Sequence, residues 1–148
     1  MIRVVLDTNV LVSAILAPEG PPAQILSLVK NGAVELVFSP PTMAEVLQVL
    51  QRPKLIDLMR KHDVDPEEAE NFIQALAGIS LIVPGELKVE NISDDPNDNM
   101  FLACALEGEA QFIVSGDRHL TDLKNFQGIP IGSPAEFLRS IQRDEQTT

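Results

Sequence analysis

Polar and apolar positions follow two patterns along this chain, one typical of buried strands and the other of amphipathic helices. Short apolar runs rich in β-branched residues predict strands of a sheet that helices cover. These runs are residues 2–6, 34–38, 79–83, 111–115 and 129–131. Strands that alternate with helical segments predict an α/β domain with a mainly parallel sheet of about five strands.

The helical segments between these runs are bounded by capping residues, prolines and glycines. Ser133 and Glu136 have the spacing of a capping box around Pro134, and Asp65 precedes a proline at a first helical position. The segments predicted to be helical lie around 25–29 and 44–50, and at 54–61, 66–77, 100–107, 119–124 and 137–142. The segment 86–91 is ambiguous and could form an edge or a connection.

The chain has 148 residues, 45% of them hydrophobic, which predicts one domain over residues 1–142 and a polar tail over 143–148. No apolar run approaches the roughly 20 residues that span a bilayer, so we expect a soluble, cytoplasmic protein with no membrane partner. Cys104 is the only cysteine, which excludes an intrachain disulfide. Its apolar neighbours indicate a core residue and not a nucleophile.

The formal net charge of −11 limits the possible partners. Such an acidic chain by itself repels nucleic acid, because phosphate binding normally depends on Lys and Arg. A nucleic-acid substrate therefore requires something that reverses the local charge. Divalent cations held by carboxylates would do so, since a bound ion is often the largest charge in its site.

Four acids occupy positions that a parallel sheet would bring together. Asp7 and Asp117 each follow an apolar strand, Glu45 lies at the start of the helix after the second strand, and Asp98 starts the helix before the fourth. Ligands of open α/β sheets bind outside the carboxyl ends of the strands. Like charges at close range must keep protons or share cations. Mg²⁺ and Mn²⁺ suit such a group of carboxylate oxygens.

Each acid also has a local explanation. Asp7 could cap the helix that follows it, and Asp117 could be a turn residue. Glu45 lies three residues after Thr42, which is the spacing of a capping box, and Asp98 stands in the same relation to an earlier Asp. Caps alone do not require four acids to converge, so the set as a whole favours a shared cation site.

These segments also resemble the motifs of PIN-domain proteins, including toxin components of toxin–antitoxin systems related to VapC-type ribonucleases. The matching segments are residues 6–13, 39–47, 52–54, 95–99, 102–105, 113–117 and 134–138. The resemblance covers nearly the whole domain. It implies a three-layer α/β/α fold and a Mg²⁺- or Mn²⁺-dependent endoribonuclease that hydrolyses single-stranded RNA.

The resemblance implies that the catalytic, metal-binding acids are Asp7, Glu45, Asp98 and Asp117. Three of them would coordinate the ion directly or through water, while Glu45 would hold a metal or orient the attacking water. Asp94 and Asp95 crowd the third motif, so the acid there that faces the metal is less certain. The resemblance favours Asp98, because the helix that follows it carries the small residues typical of the family.

The resemblance further implies polar supporting residues and partners. The supporting residues are Thr8, Asn9, Ser115 and Asn99. A homodimer and a cognate antitoxin protein are expected as partners beside the RNA substrate.

Two other functions remain open. Asp7 after a buried strand also resembles the nucleophile of aspartyl phosphatases, although Asn9 stands where that pattern needs a second Asp. The chain could instead be a catalytically silent PIN module that binds RNA or a protein partner. His119, two residues after Asp117, is interpreted as an exposed loop residue, and the proposed chemistry requires neither it nor His62.

Overall fold

Strands and helices alternate along the chain, as its apolar pattern predicts. The computed structural model describes residues 1–90, 92 and 95–147, with side chains described as far as residue 143. The strands are β1 (Ile2–Leu6), β2 (Val34–Phe38), β3 (Leu81–Ile82), β4 (Phe112–Val114), β5 (Asn125–Phe126) and β6 (Ile129–Gly132). The helices are α1 (Thr8–Leu16), α2 (Pro21–Lys30), α3 (Pro40–Leu50), α4 (Pro53–Lys61), α5 (Pro66–Gly78), α6 (Pro96–Glu107), α7 (Arg118–Thr121) and α8 (Pro134–Thr147).

The sheet has the strand order β3-β2-β1-β4-β6-β5, which places β1 between β2 and β4. All the described strand pairs are parallel except β5 with β6. This confirms the mainly parallel sheet, although it has six strands instead of about five. The additional strand, β5, spans only two residues and is too short to show a strand pattern in the sequence.

Helices cover both faces of the sheet, which confirms the three-layer α/β/α architecture. Val4, Val5 and Leu6 of β1 are at most 1% exposed. Val4 and Leu6 belong to a core with α1, α2, α3, α5 and α8, whereas Val5 packs in a second core with residues of α6 such as Leu102. Central burial of β1 fixes the position of the residue that follows it, Asp7.

Several elements have bounds that differ from those predicted. The third strand covers only Leu81–Ile82 and not 79–83, and α8 continues to Thr147 through the segment predicted to be a polar tail. Helix α6 begins at Pro96 and not at Met100, because Asp95 caps it and proline suits a first helical position. The first turn of α6 is polar, so the pattern of apolar residues does not show that the helix starts there.

Three residues near the C-terminal end of α6 show how the helix packs against its surroundings. Cys104 is buried, and burial raises the pKa of its thiol to about 11, which confirms the core position. At the end of α6, a Cβ on Gly108 would lie 2.6 Å from Cγ1 of Val37, so only glycine permits this approach to β2 without a shift. The Glu107 carboxylate accepts hydrogen bonds from the backbone of Leu87, Gly85 and Glu86, which ties the ambiguous 86–91 segment to the helix.

Within the described part of the chain, each helix is too short or too polar to span a bilayer.

Candidate metal-binding and catalytic site

A cleft of about 170 Å³ lies at the edge of the sheet where β1 and β4 end. The described acids that line it are Asp7, Glu45, Asp95, Asp98 and Asp117. The structure therefore places the four acids chosen from the sequence around one cleft and adds Asp95 to them. Asp94, the other acid considered in the third motif, lies outside the described residues.

Asp7 both caps a helix and lines the cleft. Its Oδ1 accepts a hydrogen bond of 3.0 Å from the backbone N–H of Val10, which caps α1. Its Oδ2 accepts a hydrogen bond from the hydroxyl of Ser115, and the same hydroxyl accepts one of 2.9 Å from the backbone N–H of Asp117. Ser115 thus links the acids that follow β1 and β4, and the capping explanation of Asp7 does not exclude a site.

Asp95, Asp98 and Asp117 form a close acidic group that could hold a metal ion. One carboxylate oxygen from each lies within 4.8 Å of the other two. Asp95 caps α6 by accepting from the backbone N–H of Asn97, and Asp117 caps α7 by accepting from that of His119. Asp98 lies inside the first turn of α6, so the expectation that it directly precedes the helix is wrong.

Glu45 reaches the cleft from α3. The capping box of this helix pairs Ser39 with Thr42, and Thr42 does not serve as the N-cap of a box with Glu45. Helix α3 already begins at Pro40, so Glu45 lies in its second turn and not at its start. The capping explanation of Glu45 is therefore wrong, and its half-buried side chain contributes to the cleft instead.

The cleft disfavours negative charge on its most buried acid. Burial raises the pKa of Asp7 from an ordinary value of 3.8 to about 6, and the charges of Asp98 and Asp117 act in the same direction. The hydrogen bonds from Ser115 and Val10 oppose the shift. Crowded carboxylates of this kind are stabilised by a shared cation.

The predicted polar supports have different positions. Ser115 is fully buried beside Asp7, and Asn9 lines the cleft with an exposed side chain. Thr8 also lines it, and its buried Oγ1 has no hydrogen-bond partner among the residues described. Asn99 is buried in α6 but does not belong to the lining of the cleft.

Sequence reasoning did not assign two polar cleft residues, Arg52 and Asn97, to the site. It left open whether Asp95 contributes, and the structure shows one Asp95 carboxylate that both caps α6 and lines the cleft. Arg52 precedes α4, and it lies beside the acids because of the way the chain turns between α3 and α4. The match of residues 52–54 to the PIN pattern was the available signal.

The fold, the acidic cleft and the matching family agree. The PIN domain matches residues 3–119, and the chain therefore belongs to the PIN-domain family. PIN domains are generally nucleases, and PIN nucleases use divalent metals. All the cleft acids lie within the matched residues.

Its relatives include an uncharacterized protein of Methanocaldococcus jannaschii, which is 29% identical over 150 residues, covering 96% of this chain and 93% of that protein. VapBC2 from Rickettsia felis, solved bound to a DNA fragment from its promoter, matches with a TM-score of 0.56 and 16% identity. That match covers 88% of this chain and 97% of the other. The RRP44 PIN domain of T. brucei matches with a TM-score of 0.51 and 13% identity over 99% and 84% of the two chains. At these identities the two structures show the shared fold.

The raised pKa of Asp7 predicts a pH-dependent effect of Asp7→Asn on protein stripped of divalent ions. The folded state prefers protonated Asp7, so this stabilisation is fully present below pH 3.8 and is lost as the pH rises through about 6. The free energy of unfolding of the variant, relative to wild type, should therefore be up to about 3 kcal/mol higher at pH 7.5 than at pH 3.5. Urea unfolding at both pH values measures this difference.

Asp57→Asn, at an exposed position on α4, controls for the removal of one carboxylate. If the two substitutions changed stability equally at both pH values, the burial argument for Asp7 would be wrong.

Proposed function

We propose that this protein is a Mg²⁺- or Mn²⁺-dependent endoribonuclease that hydrolyses phosphodiester bonds of single-stranded RNA. The observation that carries the proposal is the cleft itself, in which carboxylates from separate elements converge although the chain already carries a net charge of −11. Convergence of this kind costs electrostatic free energy unless a cation is bound. Membership of a nuclease family supports the reaction class.

The donor atoms fit a hard divalent ion. Magnesium binds oxygen at about 2.0–2.1 Å in an octahedron, so two of its ligands lie about 3 Å apart when adjacent and about 4 Å apart when opposite. The oxygens of Asp95, Asp98 and Asp117 lie within 4.8 Å of one another, so they would move closer together to bind one ion.

In the proposed reaction, a bound ion would lower the pKa of a water molecule and stabilise charge on the phosphoryl oxygens. Asp95, Asp98 and Asp117 would hold it. Asp7 would join them as a ligand, because each carboxylate oxygen can accept more than the one hydrogen bond that Val10 or Ser115 donates.

Two further side chains would act on the substrate. Glu45 enters the cleft from α3 and would help to hold an ion or orient the attacking water. Arg52 brings a guanidinium to the same cleft, where it would bind a phosphate oxygen through charge-assisted hydrogen bonds.

The surroundings of Asp7 favour hydrolysis at a metal over a phosphoenzyme, because four further acids line the same cleft. Asn9 lacks the acid that the aspartyl phosphatase pattern requires. The remaining alternative is a catalytically silent PIN module that binds RNA or a protein, and measured turnover distinguishes the two.

We further propose that the protein is a cytoplasmic, homodimeric toxin with a cognate antitoxin. The likeness of its fold to a chain of the VapBC2 structure supports this proposal. The acidic cleft neither requires nor excludes a second subunit.

Asp98→Asn should abolish cleavage of single-stranded RNA in Mg²⁺ or Mn²⁺, because it removes an ion ligand, and Asp7→Asn should do the same. Glu45→Gln should retain measurable activity, with a loss within the roughly 10²–10⁴-fold typical of a residue that assists proton transfer. Sequencing the ends formed from a defined RNA measures each activity. Asp57→Asn, purified identically, excludes a contaminating nuclease. A folded Asp98→Asn protein as active as wild type would contradict the proposal.

Mg²⁺ or Mn²⁺ should raise the melting temperature more than NaCl of equal ionic strength. Binding to the folded state contributes about 2.7 kcal/mol when the free ion is at 100 times its dissociation constant. For a chain of this size that corresponds to roughly 5–10 °C. Asp98→Asn should remove most of the response, while Asp57→Asn should keep it. An unchanged response in Asp98→Asn would show that the ion binds elsewhere.

Light scattering should report a dimer at micromolar concentrations. A molecular mass of one chain, 16.2 kDa, across that range would contradict the proposed homodimer. Failure of this prediction would leave the proposed nuclease activity unaffected.

A further inference from the structure

A second cleft, of about 580 Å³, lies between α7, β6 and α8. Lys124, Arg139 and Arg143 line it, and we refer to these three residues as the basic pocket. Arg139 and Arg143 are four residues apart on α8, so their side chains lie on the same face of that helix. Lys124 reaches the same space from the segment between α7 and β5.

The charge of the basic pocket is unusual for this protein. The whole chain has 11 Lys and Arg against 22 Asp and Glu, yet three of those cations share one cleft. Among the residues whose side chains the structure describes, Glu136 is the acid that lines it, and its carboxylate also accepts a hydrogen bond from the backbone N–H of Ser133. In the described part of the chain, the ion pair present joins Arg3 to Glu35, and no carboxylate there pairs with the basic pocket.

Backbone hydrogen bonds locate the basic pocket relative to the acidic cleft. The N–H of Ser115, whose side chain bonds to Asp7, donates to the carbonyl of Gly132, and the N–H of the preceding Ile131 donates to the carbonyl of Lys124. Lys124 thus lies two strand spacings from Ser115 across the sheet, with an offset of one residue along the strands. Strand spacings of about 4.8 Å and a rise of about 3.3 Å place these two backbone positions roughly 10 Å apart.

We infer that the basic pocket binds a backbone phosphate of the same single-stranded RNA that the acidic cleft cuts. This inference rests on the proposed function. A distance of about 10 Å spans at most roughly three phosphates, because a stacked strand rises 3.4 Å per phosphate and an extended single strand rises more. A strand that leaves the acidic cleft therefore reaches Lys124 within a few nucleotides, and the two arginines line the same cleft as Lys124.

The chemistry of the pocket suits a nucleotide. Guanidinium groups bind phosphate through paired hydrogen bonds, and Lys124 supplies a point charge beside them. The apolar side chains of Phe112, Pro130 and Ile131 also line the cleft and offer a surface for a base. An acidic protein segment could also bind the three cations, but it would not account for their position near the acidic cleft.

The test compares two triple variants with equal changes of charge. The first is Lys124→Gln, Arg139→Gln and Arg143→Gln; the control is Lys54→Gln, Arg60→Gln and Lys61→Gln, at exposed positions on α4. Both are made in an Asp98→Asn background, so that binding is measured without cleavage. Fluorescence anisotropy with an RNA of about 12 nucleotides, within the usual range of single-strand sites, reports Kd against salt concentration.

Each phosphate contact contributes about 0.7 to the slope of log K against log salt for a single strand. The basic-pocket variant should reduce the magnitude of this slope by about 2, equally for different RNA sequences, while the control keeps the wild-type slope. Equal slopes in the two variants would overturn the inference. An acidic peptide of matched length and charge that binds more tightly than the RNA, with the same dependence on the pocket, would also overturn it.

Cleavage by the otherwise wild-type protein separates this inference from the proposed function. For the longer RNA, the basic-pocket variant should raise KM and leave kcat unchanged, whereas a dinucleotide substrate should respond to neither triple variant. If the slope changes as expected but the wild-type protein cleaves no RNA, then the pocket is real and the proposed function fails. If cleavage occurs but KM does not depend on the pocket, then the inference alone fails.

Discussion

Repulsion between carboxylates at one edge of the sheet is the constraint on which the site depends. Five acids line a small cleft, and burial together with the charges of Asp98 and Asp117 raises the pKa of Asp7. The fold tolerates this arrangement because it supplies donors to the same groups. The hydroxyl of Ser115 joins the acids that follow β1 and β4. The cleft still carries more negative than positive charge, and a bound divalent cation would reduce this excess.

Helix capping and metal binding are compatible in this protein. Asp7, Asp95 and Asp117 each accept a backbone N–H at the start of a helix while they line the cleft. A cap uses one lone pair of a carboxylate that has about four. The capping bonds fix the orientation of each carboxylate before any ion arrives, so less conformational entropy is lost on binding. For these acids, the local explanation and the functional one describe the same geometry.

The distribution of charge extends this reasoning beyond the cleft. An acidic protein that acts on RNA has to attract a polyanion somewhere. Arg52 places one cation beside the acids. The basic pocket adds three more, and sheet geometry places the backbone of one of them, Lys124, about 10 Å from that of Ser115. With a cation in the acidic cleft, both regions would attract phosphate.

The sequence by itself determined the central strand, the order of most elements, the mainly parallel sheet and the four candidate acids at its edge. These features follow from local patterns, since an apolar run or a cap is encoded within a few residues. The three layers were implied by the resemblance to PIN domains. Only the tertiary structure decided that α6 begins early enough to bring Asp95 beside Asp98, that Glu45 lies beyond the capping box of α3, and that β5 joins the sheet. The basic pocket was likewise invisible, because its cations are polar residues on separate surface elements. Such groupings depend on which face of each helix is exposed after packing, and no short stretch of sequence carries that information.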